Sequence, residues 1–139
     1  MCHSKIIPTM RYINAAETID WLCDVFGFEK HLIVPGDNGR IEHAQLKFSN
    51  GMIMCGSPNE RPFGKVLRTP AELDGLTTQS VYIVIDNVKE HYDVAVSKGA
   101  EIFLPFKKED YGGEGYTAQD PEGHYWTFGS YDPYQEDAS

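Results

Sequence analysis

The chain is written twice, and that repetition narrows the folds open to it more than any other feature. Shifted by 72 residues against itself (85 − 13), the sequence aligns Ile13 with Ile85, Asn14 with Asp86, Leu22 with Val94, Gly27 with Gly99 and Glu29 with Glu101. The matched positions are punctuation: a helix start after a strand, then a glycine stop after the helix.

In the first copy, residues 6–13 (IIPTMRYI) read as a strand, and Asn14 followed by Glu17 has the spacing of a capping box. A helix is expected from about Ala15 to Phe26, with Ala15, Ile19, Leu22 and Phe26 on one stripe and Gly27 as its stop. Strands follow at 28–34, 40–48 and 52–57, each break marked by turn residues. The second copy repeats the order. It reads as a strand at 80–85, a cap at Asp86 or Asn87, a helix at 88–98 with Val88, Tyr92 and Ala95 inward, and strands at 101–106, 114–119 and 124–130. Asp120-Pro121-Glu122-Gly123 joins the last two as a hairpin, because proline presets φ at the second turn position and glycine suits the fourth.

These boundaries give one α+β domain of two βαβββ modules, at about 5–57 and 80–131. Residues 58–79 form an irregular connector, which can carry a helical turn at 70–75, and 132–139 an acidic, frayed tail. At 139 residues the chain buries enough surface for a core of its own. Its formal charge of −9 argues against a nucleic-acid partner. Cys2, Cys23 and Cys55 are odd in number and contain no CxxC pair, which speaks against a disulfide framework and fits a reducing cytoplasm. The N-terminal stretch, broken by charge and by Pro8, carries no apolar run of signal or membrane-spanning length, so no membrane partner is expected.

Two tandem βαβββ units, carried by VYIVIDNVKEHYDVAVSKGAEI and by QDPEGHYWTFGS, resemble the vicinal oxygen chelate superfamily of glyoxalases, bleomycin-resistance proteins and extradiol dioxygenases. The resemblance implies curved mixed sheets around a cavity, helices outside, and a homodimer. It also implies four metal-ligand positions, on the first and last strands of each unit. Here they fall at Pro8 (or Ile7 with a register slip of one), Met54, Ser80 and Thr127. A proline, a thioether and two hydroxyls supply neither imidazole nor carboxylate, so no metal and no cofactor are expected.

Taking the Thr127 position as the cavity side, strand alternation puts Tyr125, Thr127 and Gly129 inward and Trp126 and Phe128 under the helices. The same phase puts Pro8, Met10 and Tyr12 on the cavity side of the first strand, Met52 and Met54 on the fourth, and Ser80, Tyr82 and Val84 on the fifth. His43, Gln45 and Lys47 oppose the apolar set Ala44, Leu46 and Phe48. The candidate ligand-binding residues are therefore Tyr12, His43, Gln45, Met54, Ser80, Tyr82, Tyr125 and Thr127, with His43 the candidate acid or base. Gly112, Gly113 and Gly115 suggest a lid, and His91 a helix-surface residue.

The expected function is metal-independent binding or sequestration of a small aromatic or cationic, antibiotic-like ligand. One alternative is a superfamily enzyme, a lyase, isomerase or dioxygenase. It would use His43 alone, or a displaced metal held by His43 with Glu42 or Glu114. Another is a partner-binding module whose interior is filled by its own side chains.

Overall fold

The computed structural model describes residues 3–135, so Cys2 and the end of the acidic tail lie outside the described residues. The chain divides into two compact units, Met1–Thr77 and Thr78–Ser139. The first runs β1 (Thr9–Arg11), α1 (Ala15–Trp21), β2 (Glu29–Pro35), β3 (Ile41–Phe48) and β4 (Gly51–Gly56). The second runs β5 (Val81–Val84), α2 (Val88–Ser97), β6 (Glu101–Lys108), β7 (Glu114–Gln119) and β8 (Tyr125–Gly129). Each unit has one four-stranded mixed sheet, ordered β1-β4-β3-β2 and β5-β8-β7-β6, whose outer strand lies parallel to the last strand of its own unit. The two tandem βαβββ modules expected from the repeat are present.

Equivalent joints recur in both units. Asn14 and Asn87 hold the N-cap positions with nearly the same dihedrals, φ −107°, ψ 64° and φ −103°, ψ 60°. The Tyr12 amide donates to the Gly56 carbonyl at 3.0 Å, as the Ile85 amide does to Gly129 at 2.8 Å. These pairs are offset by 73 residues (85 − 12 and 129 − 56), not 72. Between helix end and last strand the second copy is one residue longer (129 − 99 against 56 − 27), and for the Tyr12–Ile85 pair the difference arises in the first helix. Its second half, Leu22–Phe26, is a π-helix, which takes up one extra residue before Gly27 turns the chain out at φ 93°. From Ala15 to Gly27 is thus one step longer than from Val88 to Gly99 (27 − 15 against 99 − 88).

Local chemistry departs from expectation at three further places. The Asn14 side chain makes no cap bond to α1, and the capping box instead sits in the connector. There Thr69 and Glu72 close a short 3-10 turn, Pro70–Leu73, with the Glu72 carboxylate accepting from the Thr69 amide at 2.8 Å. Thr69 is fully buried, so Thr69→Ala is expected to lower the unfolding free energy by about 1 kcal/mol, read from urea titration followed by circular dichroism. Of the three glycines suggested as a lid, Gly115 lies within β7 and Gly112 and Gly113 precede it. The latter two close a tight β6–β7 hairpin in which the Glu109 amide donates to Gly113 at 2.9 Å and the Glu114 amide to the Ser130 hydroxyl at 2.9 Å. His91 is not a surface residue: its Nδ1 meets the Tyr116 hydroxyl at 2.7 Å and its ring lies 4.2 Å from that of Phe128.

The second module's core lies between α2 and its sheet. Trp126, Phe128 and Tyr116 are buried there, Tyr116 against Tyr92 of α2 at 5.0 Å. Each such ring contributes roughly 1.5–3 kcal/mol by leaving water. Burial also pushes the Tyr116 hydroxyl well above the usual phenol range, so it stays protonated and able to pair with His91. In the first module Tyr12, Ala44, Leu46, Ile53 and Cys55 from the sheet and Ala15, Ile19, Leu22 and Phe26 from the helix are buried.

Candidate functional site

With one face of each sheet buried in its module's core, the other face is left to carry the chemistry. In the second module, strand register builds that open face in rows, since paired residues project to the same side. Tyr82, Thr127, Thr117 and Leu104 form one row across β5, β8, β7 and β6; Val84, Gly129, Gly115 and Lys107 form the next. Tyr125, paired with Gln119, starts a third and meets the bulged Phe103 ring edge-on at 5.0 Å. The Thr117 and Thr127 hydroxyls bond each other at 2.7 Å in the centre.

Tyr82 lies flat along the sheet because Gly129 offers no side chain: a Cβ there would stand 2.5 Å from the Tyr82 hydroxyl. That hydroxyl donates to the Tyr131 carbonyl at 2.7 Å. Burial, then the neighbouring Tyr111, raise the Tyr82 pKa above that of a free phenol; Asp132 and Glu109 add to this, while the bond to Tyr131 opposes it. Ser80, one step before β5 and exposed, shares the parity of Tyr82.

In the first module Thr9, Met54, Gln45 and Leu32 form the corresponding row. Met54, Gln45 and His43 are thus on the open face, as their strands' alternation requires. Tyr12 is not, and neither are Pro8 and Met10. Met10 pairs with Cys55, which pairs with Ala44 on the core side, and Tyr12 is 0% exposed with its hydroxyl on the Met10 thioether at 3.2 Å. The extra residue in the first helix displaced the phase by one, so Ile7, Thr9 and Arg11 take the places expected of Pro8, Met10 and Tyr12. Sequence reasoning missed Thr117, although counting back from the Asp120–Gly123 turn through Gln119 opposite Tyr125 reaches it. It also missed Tyr111, Tyr131 and Glu109, whose loop and chain-end positions no alternation reports.

His43 is half-buried, and its Nε2 lies 3.1 Å from the Gln45 amide nitrogen. With the amide donating, the neutral ring holds its proton on Nδ1 and presents no free lone pair, a poor arrangement for a general base. Glu42 is bound to Arg61 rather than to His43. Among the described residues no three His, Cys, Asp or Glu side chains come together as a metal cluster.

The glyoxalase/bleomycin resistance protein/dioxygenase family profile matches residues 8–128. The chain belongs to that superfamily. Similar proteins include TioX from Micromonospora sp. ML1, whose crystal structure is 29% identical with a TM-score of 0.73, over 91% of this chain and 98% of that one. Lactoylglutathione lyase from Agrobacterium tumefaciens shares the superfamily fold at 18% identity and a TM-score of 0.65, over 92% and 94% of the two chains. Uncharacterized protein Rv0887c of Mycobacterium tuberculosis is 26% identical over 122 residues, 88% of this chain and 71% of that protein. In this superfamily's metal-ligand frame the 73-residue offset equates Ile7 with Ser80 and Met54 with Thr127 (80 − 7 and 127 − 54). An aliphatic side chain, a thioether and two hydroxyls, one of them engaged by Thr117, do not fit a catalytic divalent metal.

Proposed function

We propose that the chain binds and sequesters a small organic ligand, aromatic or cationic, without a metal. The observation that carries this reading is the open face of the second module, where Tyr82, Tyr125 and Phe103 surround a hydroxyl pair at a position the superfamily otherwise uses for a metal ligand. Rings of this kind favour a flat partner, and a few hydroxyls orient it. A cytoplasmic homodimer is the assembly this reading expects, checked by analytical ultracentrifugation. No helix among the described residues is long and apolar enough to cross a membrane.

The test pairs two measurements on the same untagged protein. Elemental mass spectrometry after incubation with Ni, Zn, Mn and Fe(II) and removal of free ion is expected to find far less than one metal per chain. Titration with bleomycin and with the planar cation proflavine, followed by tryptophan fluorescence and calorimetry, is expected to give saturable one-to-one binding of at least one of them. Stoichiometric metal overturns the metal-free reading and directs attention to turnover of vicinal-oxygen substrates. Failure of both probes overturns the binding reading.

A further inference from the structure

At one end of the second module's open face, Gly115 and Gly129 are directly paired, leaving a gap in the side-chain layer. Groups from three segments close around it. The Tyr82 hydroxyl end covers Gly129, and a Glu109 carboxylate oxygen lies 3.6 Å from where a Gly115 Cβ would be. Tyr131 receives the Tyr82 hydrogen bond, and its ring meets Tyr111 edge-on at 5.3 Å. Asp132 and Glu109 both act electrostatically on the Tyr82 hydroxyl, which places negative charge beside the rings. The β6–β7 hairpin fixes the Glu109 backbone on both sides, its amide on Gly113 and its carbonyl on the Gly112 amide.

One cation of the chain already reaches this notch. Lys107, paired with Gly115, holds its ammonium 3.5 Å from a Glu109 oxygen, longer than a good charged hydrogen bond. Both geometry and exposure make that pair weak: the Lys107 side chain is 67% exposed and the Glu109 side chain only 20%. The Glu109 backbone is thus held in place, while the partner of its carboxylate is loosely attached and easily displaced.

We propose that the notch formed by Tyr82, Tyr111, Tyr131 and Glu109 is the specificity site for an alkylammonium group of the ligand, with Lys107 as a resident competitor. The inference rests on the binding reading above and narrows its ligand class to amines attached to an aromatic body. Tyrosine faces attract a cation through the ring quadrupole, and the Glu109 carboxylate supplies the opposite charge. The aromatic body then continues over Thr127 towards Tyr125 and Phe103.

Benzyltrimethylammonium and its uncharged isostere neopentylbenzene separate the two ideas, with chemical-shift titration of the full chain as the readout. The cation is expected to bind about tenfold tighter than the isostere. Glu109→Gln is expected to remove most of that preference while leaving neopentylbenzene unchanged, and Lys107→Met to tighten the cation alone, each variant keeping the parent circular dichroism spectrum. Equal binding of the two probes overturns the cation notch and leaves the aromatic face standing, as does a Glu109→Gln variant that weakens both alike. Binding of neither overturns the face itself.

Discussion

Replacing Asp120 by alanine is expected to destabilise the second module by about 3–5 kcal/mol, the loss that follows when a buried carboxylate leaves its partners unmet. Asp120 is 4% exposed, and its carboxylate accepts three hydrogen bonds from its own hairpin. Oδ1 takes the amides of Glu122 at 2.9 Å and His124 at 3.1 Å; Oδ2 takes the buried Trp126 indole N–H at 3.0 Å. Truncation leaves the indole donor in the core without that acceptor, at about 1–3 kcal/mol, and removes two charge-assisted bonds that hold the turn. With total stabilities of about 5–15 kcal/mol, a loss of this size is visible in any denaturation profile. Asp120→Asn is expected to fall between, because one amide group cannot accept at both ends. Combining Asp120→Ala with Trp126→Phe is expected to recover part of the loss, since phenylalanine brings no donor to satisfy. Urea titration by circular dichroism, supported by hydrogen exchange of the 120–124 amides, reads the series. A loss under 1 kcal/mol for Asp120→Ala shows that the turn does not depend on this carboxylate.

That turn was legible in the sequence as a turn, but its carboxylate's reach to Trp126 was not, and the contrast is general along this chain. Proline, glycine and aspartate act locally, so β7 emerged at 114–119 as read, with β8 at 125–129 trimmed by one residue at each end. Alternation likewise put Tyr125 and Thr127 opposite Trp126 and Phe128, because the second module has no insertion between its Asp120–Gly123 turn and β8. The first module has an insertion in its helix. A π-turn leaves no composition signal, since Leu22–Phe26 reads as a well-formed amphipathic helix, and the extra residue surfaces only as a one-step slip in the strand before it. A slip of one exchanges the two faces of a strand. Hence alternation from the sequence alone makes Tyr12 a ligand contact, where the fold buries it. His91 was misread because a helix stripe is wide enough to hold it beside Tyr92. The notch at Glu109 was hidden for another reason: it is assembled from β5, a hairpin and the chain after β8, and only the fold brings these together.

The tyrosines on either side of that slip give the sharpest pair of expected results. Tyr12→Ala removes a fully buried ring from the first module's core and is expected to lower its unfolding free energy by about 3–5 kcal/mol, while proflavine affinity, measured well below the unfolding transition, is unchanged. Tyr82→Ala removes a half-exposed ring from the open face. It is expected to change stability by less than about 1 kcal/mol, since the Tyr131 carbonyl it bonds is left in an exposed setting where water can replace the hydroxyl. Proflavine affinity is expected to fall about tenfold or more, the effect of losing one stacking ring and its hydroxyl. Tyr82→Phe keeps the ring, so it is expected to retain most affinity and to separate stacking from the hydrogen bond. The two effects are opposite because strand alternation puts Tyr12 on the buried side with Met10, which pairs with Cys55, and Tyr82 on the open side beside Thr127. Should Tyr12→Ala weaken proflavine without moving the denaturation midpoint, the first strand faces the other way and the ligand surface must be redrawn around it.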